Sequence, residues 1–89
     1  MIPEYKQKAQ LQLKKASGTL KKVMEMLEKE EYCVDVLQQS LAVMGLLKSA
    51  NKTILENHLN SCFKEGMDKK NCCDQEKLIG EVLHIVNKL

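Results

Sequence analysis

The sequence is poor in the residues that build sheets and tight turns. Its 89 residues include no tryptophan, one phenylalanine and two tyrosines, so the aromatic side chains that favour strands are scarce. One proline and four glycines leave few positions where a hairpin turn or a helix break is favoured. These shortages disfavour a β-rich fold and predict an all-α protein.

Further absences limit the location and the partners. No apolar run approaches ~18 residues, the length that a transmembrane helix needs, so no membrane partner is expected. Residues 1–6 lack the apolar stretch of a signal peptide, which predicts a cytoplasmic location. All 14 basic residues are lysines, so the bidentate contact of arginine with guanine is excluded.

The length and the cysteine content predict one small domain with metal or redox chemistry. Residues 1–89 are expected to form a single helical domain, which buries limited apolar surface alone and gains stability by associating with further copies. Four cysteines in a reducing compartment indicate metal or redox chemistry more than structural disulfides. No general base, nucleophile and oxyanion donors form a recognisable motif, so an enzyme is not expected.

Apolar periodicity predicts two long helices. The first starts at Pro3, which suits a first helical turn, and fades near residues 28–31. The second runs from about Tyr32 to Phe63, which is unusually long for a small domain. The predicted apolar stripe of the first helix comprises Ala9, Leu13, Ala16, Leu20, Val23 and Leu27.

A shorter third helix is predicted near the end of the chain. Residues 66–73 are interpreted as a loop, and either Asn71 or Asp74 is expected to cap the helix that follows. Its apolar residues fall between positions 78 and 86, and His84 among them is interpreted as a packing or surface residue. The predicted protomer therefore has three helices with a long central one.

Three soft metal ligands share one face of the predicted second helix. Cys33, His58 and Cys62 are separated by 25, 4 and 29 residues, spacings that return to nearly the same face at about 100° per residue. Along an unbroken helix Cys33 lies about 38 Å from His58, so one chain cannot close the site. An antiparallel dimer would bring Cys33 of one chain beside His58 and Cys62 of the other, and two-fold symmetry would generate the site twice.

The chemistry of these ligands indicates the metal. Two thiolates and an imidazole form a soft set that favours monovalent copper or zinc over magnesium, calcium or manganese. Three ligands suit a three-coordinate Cu(I) ion, whereas structural zinc normally has four protein ligands. A fourth ligand from elsewhere would favour zinc again. The alternative without metal is a chance alignment of small, buried, apolar cysteines.

Two further features each have two interpretations. Cys72 and Cys73 lie in the predicted loop near several lysines, which favours thiolate chemistry, but an exposed pair without a specific role fits equally.

The second feature is a basic face on the first helix, opposite the predicted apolar stripe, which suits DNA phosphates. A net charge of +2 equally fits a solvated face. The lysines concerned are Lys8, Lys15 and Lys22, with Lys14 and Lys21 nearby.

Three short motifs of the second helix form a recognisable set, namely Tyr32-Cys33-Val34-Asp35-Val36-Leu37, Leu55-Glu56-Asn57-His58 and Cys62. They resemble the copper-sensitive operon repressor family, part of the wider metal- and formaldehyde-sensing repressors. The resemblance covers roughly residues 13–86 and implies that Cys33 ligates Cu(I) from one protomer while His58 and Cys62 do so from the other.

The resemblance also implies how metal binding affects DNA. Tyr32 resembles a family tyrosine beside the ligands, and Glu81 resembles a third-helix glutamate if a short insertion at residues 69–73 is allowed. With copper bound, His58 is expected to join a hydrogen-bond network with Tyr32 and Glu81 that favours a helix arrangement with weaker DNA affinity.

Family members are helical dimers that assemble into flat tetramers. The resemblance therefore implies an antiparallel helical-bundle dimer that assembles into a dimer of dimers and binds operator DNA without metal. Gln12 stands where the family usually carries an arginine, so lysines must supply the basic contacts. The expected DNA contacts are Lys14, Lys15, Lys21 and Lys22 together with Lys48, which matches a basic family position.

The first functional hypothesis is a Cu(I)-responsive transcriptional repressor that releases operator DNA on copper binding. One alternative is a copper-binding buffer or carrier without DNA binding. Another is a thiol or persulfide sensor in which Cys33 and Cys62 react across the interface. His58 argues against the sensor, because cysteine chemistry alone needs no imidazole at that position.

Overall fold

The computed structural model describes residues 1–61 and 72–88, and all regular structure within them is α-helical. Helix α1 spans Pro3–Glu28, α2 spans Cys33–Asn60 and α3 spans Cys72–Val86. The central helix is the longest, with 28 residues. The predicted all-α class is therefore confirmed, as is the order of three helices with a long central one among the residues that the structure describes.

The predicted start of the first helix at Pro3 is confirmed. The bounds of the other two helices differ from the predictions. Helix α2 ends at Asn60, because Ser61 has φ −133° and ψ −86° and its hydroxyl donates to the Asn57 carbonyl at 2.6 Å. The side-chain amide of Asn60 donates to the Glu56 carbonyl at 2.9 Å. Such bonds satisfy carbonyls that a helix end leaves without partners. The predicted end at Phe63 lies outside the described residues.

The third helix begins at Cys72, earlier than a cap at Asp74 would allow. The predicted loop position of Cys72 and Cys73 is wrong, because both lie in the first turn of α3, and Asp74 lies inside the helix rather than capping it. No glycine or proline separates these residues from the apolar part of the helix, so the helical conformation extends back to Cys72. Asn71, the other predicted cap, and the rest of the predicted loop before Cys72 lie outside the described residues.

Helices α1 and α2 pack against each other in antiparallel order through a seven-residue repeat. In each helix the less exposed side chains recur at alternating steps of three and four, the spacing that keeps residues on one face of paired helices. On α1 they are Ile2, Tyr5, Ala9, Gln12, Ala16, Thr19, Val23 and Met26. On α2 they include Val36, Gln39, Val43, Leu46, Ala50, Thr53 and Asn57.

The apolar stripe predicted for α1 is two separate rows in the structure. Ala9 and Ala16 are buried, as predicted, but Leu13, Leu20 and Leu27 are 42%, 49% and 68% exposed. The small alanines let α2 approach closely on their side, so the leucines lie on the flank of the contact. Grouping all six residues into one buried stripe was therefore wrong for the single chain.

The chain reverses between α1 and α2 through a compact helix-ending motif. The Glu31 N–H donates to the Met26 carbonyl at 3.0 Å, and the Glu30 N–H donates to the Leu27 carbonyl at 3.1 Å. Glu30 has a φ of 54°, in the left-handed region. This pair of bonds around a left-handed residue is the Schellman motif, which stops a helix and redirects the chain. It returns α2 alongside α1.

The protomer is one helix layer thick. It measures 57 × 26 × 13 Å, and the shortest dimension is close to the diameter of about 10–12 Å for one helix. A single layer cannot cover both faces of its helices, and large apolar side chains of α2 stay in contact with water, with Leu37, Leu41 and Met44 all more than 60% exposed. Within the described parts of the chain, no helix has the length and apolarity to cross a membrane.

Candidate metal centre

The two predicted ligands that the structure describes lie at opposite ends of one helix. Cys33 is the first residue of α2 and is exposed, whereas His58 lies in the last turn and is half-buried. Helix α2 is continuous between them, so their separation is about 38 Å at 1.5 Å per residue. Cys62 lies outside the described residues, and its position relative to His58 stays a prediction.

One chain therefore does not assemble the predicted site from its described residues. Across residues 1–61 and 72–88, no group of three His, Cys, Asp or Glu side chains is close enough to hold a metal ion. The sequence-based interpretation takes Cys33 from one copy and His58 from another, and this assignment stays a prediction.

His58 shares a cleft with Glu81. The cleft has a volume of about 480 Å³ and lies between α2 and α3. Its other lining residues are Asn51, Ile54, Leu55, Val82, Ile85 and Lys88. Glu81 was linked to His58 only through a resemblance that needed an insertion before it. In the structure α3 presents Glu81 on the side that faces the last turns of α2, and a link between its carboxylate and His58 stays a prediction.

Tyr32 lies at the far end of α2 from His58. It occupies the N-cap position, is 70% exposed, and its carbonyl accepts the first helical hydrogen bond from the Val36 N–H at 3.1 Å. Within one chain Tyr32 is therefore as remote from His58 as Cys33 is. A network that joins Tyr32, His58 and Glu81 needs Tyr32 of a second copy.

Helix α1 carries an uninterrupted basic segment. Between Glu4 and Glu25 the chain has six lysines and no acidic residue. All six are exposed, namely Lys6, Lys8, Lys14, Lys15, Lys21 and Lys22. Lys14 and Lys21 lie opposite the face of α1 that contacts α2, because each is two residues before a contact residue, about 160° around the helix. This row is free to approach a phosphate backbone.

Lys48 does not share that surface within one chain. It is exposed and lines a shallow groove on α2 with Lys88, Leu41 and Met44. Lys48 stands two residues before the fully buried Ala50, so it points about 160° away from the α1 contact. The five predicted DNA-contacting lysines therefore divide into a row on α1 and a separate residue on α2.

Sequence reasoning missed the polar residues that join α1 to α2. Gln12 faces α2, and the Thr53 hydroxyl donates to Gln12 Oε1 at 2.9 Å. Asn57 is 6% exposed and accepts from the Ile2 backbone N–H at 2.8 Å. A seven-residue count along α2 from Val43 through Ala50 reaches Asn57. The periodicity of the sequence could therefore have placed Asn57 on the face of α2 that contacts α1, although it does not identify the partner.

Comparison with known proteins identifies relatives over most of the chain. The family model described as "Metal-sensitive transcriptional repressor" matches residues 5–88. The chain is similar to "Copper-sensing transcriptional repressor CsoR" of Bacillus subtilis, with 32% identity over 76 residues that cover 85% of this chain and 72% of that protein. The Mycobacterium ulcerans protein of the same name is 44% identical over 62 residues, which cover 70% of this chain and 53% of that protein.

The chain spans about half the length of the mycobacterial relatives it matches. Among solved structures, the crystal structure of the copper-sensing repressor CsoR with Cu(I) from Geobacillus thermodenitrificans superposes with a TM-score of 0.83 at 24% identity. The superposition covers 99% of this chain and 88% of that one, which shows a shared fold. Because the family model matches nearly the whole chain and the Bacillus relative is matched over most of both sequences, this chain belongs to the metal-sensitive transcriptional repressor family.

Proposed function

We propose that this protein is a Cu(I)-responsive transcriptional repressor that binds operator DNA without metal and releases it when Cu(I) binds at an intersubunit site formed by Cys33, His58 and Cys62. The observation that carries the proposal is the placement of a thiol and an imidazole at the two ends of one continuous helix. In an antiparallel pair of such helices, the first residue of each helix lies beside the last turn of the other. Cys33 of each chain is therefore brought close to His58 of its partner, once at each end of the pair. The relatives named as copper-sensing repressors support the same effector.

The residues present fit Cu(I) by their donor chemistry. Two thiolates and an imidazole are soft ligands, and His58 lines a cleft whose other residues are mainly apolar. Copper, when bound, supplies a soft Lewis acid that takes these three donors. His58 would ligate copper through one ring nitrogen, and the N–H of the other would orient the imidazole by donating to the Glu81 carboxylate across the cleft. Tyr32 of the partner subunit adds a hydroxyl beside the same imidazole.

A second copy of the chain is the proposed cover for the exposed apolar row of α2. This row lies on the same side of α2 as Cys33 and His58, by the spacing of the residues along the helix. Burying it in an antiparallel dimer removes apolar surface from water at the site that unites the ligands. Its exposed members are Leu37, Leu41, Met44, Leu47 and Ile54.

Contact between dimers is proposed through α3. Ile79, Leu83 and Val86 follow each other at steps of four and three residues and are all more than 40% exposed. They form an apolar row on the side of α3 away from the residues that line the α2 cleft, so a tetramer can form without disturbing the metal site.

The DNA surface of the proposal is the lysine row of α1. Lysine side chains give mainly charge contacts with phosphates, which predicts a strong dependence of DNA affinity on salt. Four of these lysines lie in the part of α1 between Glu4 and Glu25 that has no acidic residue, namely Lys14, Lys15, Lys21 and Lys22. Lys48 contributes from α2 of whichever subunit faces the same DNA.

The first test is an anaerobic titration with Cu(I) against a competing chelator. The wild type is expected to bind one tight copper per protomer, and Cys33→Ala, His58→Ala and Cys62→Ala are each expected to lose it. The matched control is the double variant Cys72→Ser/Cys73→Ser, which changes two thiols of α3 and should bind as the wild type does. Tight binding that depends on Cys72 and Cys73 instead would contradict the proposed site.

A mixed-subunit titration tests whether the ligands come from two chains. Cys33→Ala and His58→Ala each lose both sites of a homodimer. A mixed dimer regains one site, because the His58→Ala chain supplies Cys33 and the Cys33→Ala chain supplies His58 and Cys62. Recovery of copper on mixing supports the intersubunit site, and no recovery indicates a site within one chain.

DNA binding separates the proposal from its alternatives. The metal-free protein is expected to retain operator DNA at moderate salt and to release it on titration with Cu(I), followed by fluorescence anisotropy. Tight copper binding without DNA retention would favour a buffer or carrier. A mass increase from persulfide formation at Cys33 or Cys62, or a covalent dimer joined by a disulfide between them, with release of DNA and no copper, would favour the thiol sensor.

A further inference from the structure

The last turn of α2 is tied to the first turn of α1 by polar side chains. Asn57 Oδ1 accepts a hydrogen bond from the Ile2 backbone N–H at 2.8 Å, and Asn60 Nδ2 donates to the Tyr5 hydroxyl at 3.2 Å. Asn57 is 6% exposed, so its hydrogen bond is shielded from water. A hydrogen bond shielded in this way is electrostatically stronger than one in water. The two helix ends are therefore held in a fixed relation.

The start of α1 depends on this tie. Ile2 is the N-cap residue of α1, where no side chain of the helix provides a cap, and Pro3 follows it without an N–H. The Ile2 N–H is one of the donors that a helix start leaves without an intrahelical partner. In a capping box, a glutamate or glutamine of the same helix would accept it. Here Asn57 of the other helix does so.

Asn57 and His58 point in different directions from the same turn. Adjacent residues on a helix are about 100° apart, so Asn57 reaches α1 while His58 lines the cleft with Glu81 on the α3 side. A rotation or shift of this turn that redirects His58 must also move Asn57 relative to the Ile2 N–H. The Ser61 hydroxyl, which donates to the Asn57 carbonyl, stiffens the same turn.

We propose that Asn57 is a positioning residue that transmits the state of the His58 site to the lysine row of α1. This inference rests on the proposed function. When His58 is held as a ligand, the last turn of α2 changes its position and takes the Ile2 N–H with it. Because α1 is one continuous helix of 26 residues, a displaced first turn moves Lys14 and Lys21 relative to the DNA. Asn57 thereby contributes to the coupling free energy between the two sites without touching metal or DNA.

The test compares Asn57→Leu with Thr53→Val. Each change removes one hydrogen bond between α1 and α2 from a buried side chain and keeps its approximate size. Thr53 lies more than a turn before His58, and its partner Gln12 lies well inside α1. A residue that only holds the two helices together predicts the same effect from both variants, whereas a coupling residue predicts an effect from Asn57→Leu alone.

Two quantities are measured for each variant. The first is the ratio of the DNA dissociation constants with and without Cu(I), from anisotropy titrations, together with the copper affinity from chelator competition. The second is the amide hydrogen exchange of residues 4–8, which follows the first turns of α1 directly. In the wild type and in Thr53→Val, Cu(I) is expected to change this exchange and to weaken DNA binding.

In Asn57→Leu the copper affinity is expected to stay near the wild-type value. The ratio of its DNA dissociation constants with and without Cu(I) should fall by about fivefold or more. The copper-dependent change in amide hydrogen exchange at residues 4–8 should disappear. Equal losses in Asn57→Leu and Thr53→Val, or an unchanged ratio in Asn57→Leu, would overturn the inference while leaving the repressor intact. A wild type whose DNA affinity ignores Cu(I) would overturn the proposed function and this inference with it.

Discussion

The Thr53 hydroxyl donates to Gln12 Oε1 at 2.9 Å and also lies 3.1 Å from the Ser49 carbonyl oxygen. Thr53 is 2% exposed, so its hydroxyl is almost completely removed from water. This relationship turns Gln12 toward α2. The Gln12 side chain therefore serves the contact between the two helices.

The first prediction concerns the stability of this contact. Thr53→Val should lower the free energy of unfolding by about 1 kcal/mol, because Gln12 Oε1 loses its donor at a partly buried site. Gln12→Ala should cost about 1 kcal/mol, since the Thr53 hydroxyl keeps the Ser49 carbonyl. Urea unfolding followed by circular dichroism measures both. Gln10→Ala, at an exposed position of the same helix, is the control and should change little.

A second prediction concerns the turn between α1 and α2. Glu30→Gly should stabilise the protein by about 1 kcal/mol, because glycine adopts the left-handed φ of 54° without the steric cost of a side chain. Glu28→Gly, inside the last turn of α1, should destabilise by about 1 kcal/mol. The same unfolding measurement tests both signs. A loss of stability in Glu30→Gly would argue against the Schellman geometry.

A third prediction addresses the lysine row. The double variant Lys14→Ala/Lys21→Ala should weaken operator binding and reduce the slope of log K against log salt by about two, because two phosphate contacts are lost. Lys29→Ala removes one lysine among acidic neighbours at the end of α1 and should leave the slope unchanged. Equal slopes in all three proteins would exclude this face of α1 from DNA binding.

A fourth prediction separates metal binding from the response to metal. Glu81→Gln keeps the shape of the side chain in the cleft but weakens the acceptor for His58. Copper affinity should stay close to that of the wild type, while the copper-dependent loss of DNA affinity should shrink. Glu76→Gln, on α3 and absent from the cleft lining, is the matched control. An unchanged response in Glu81→Gln would remove Glu81 from the coupling.

A fifth prediction tests the proposed dimer face. Met44→Glu introduces a charge at the centre of the exposed apolar row of α2 and should convert the assembly to monomers in sedimentation velocity, because the charge would be buried without a partner. Copper binding should be lost with the dimer. Leu11→Glu changes an equally exposed apolar residue on α1 and should preserve the oligomer. Monomers from Leu11→Glu alone would assign the interface to α1.

The sequence by itself determined the local features of this protein. The scarcity of proline, glycine and aromatics predicted the helical class, and Pro3 marked the start of α1. The spacing of Cys33 and His58 on one long helix followed from periodicity alone, since helical phase depends only on residue separation. The family resemblance led to Glu81, which lines the same cleft as His58, and its role beside the imidazole stays a prediction.

Only the tertiary structure decided which side chains meet. Periodicity could not decide which row of α1 contacts α2, the one with Ala9 and Ala16 or the one with Leu13, Leu20 and Leu27. Both rows have helical spacing, and the outcome depends on how closely α2 approaches. Periodicity could not reveal that Gln12 faces Thr53 or that Asn57 caps α1, because those partners are 41 and 55 residues apart in the chain. Such contacts depend on the pairing of two helices, which no local pattern encodes.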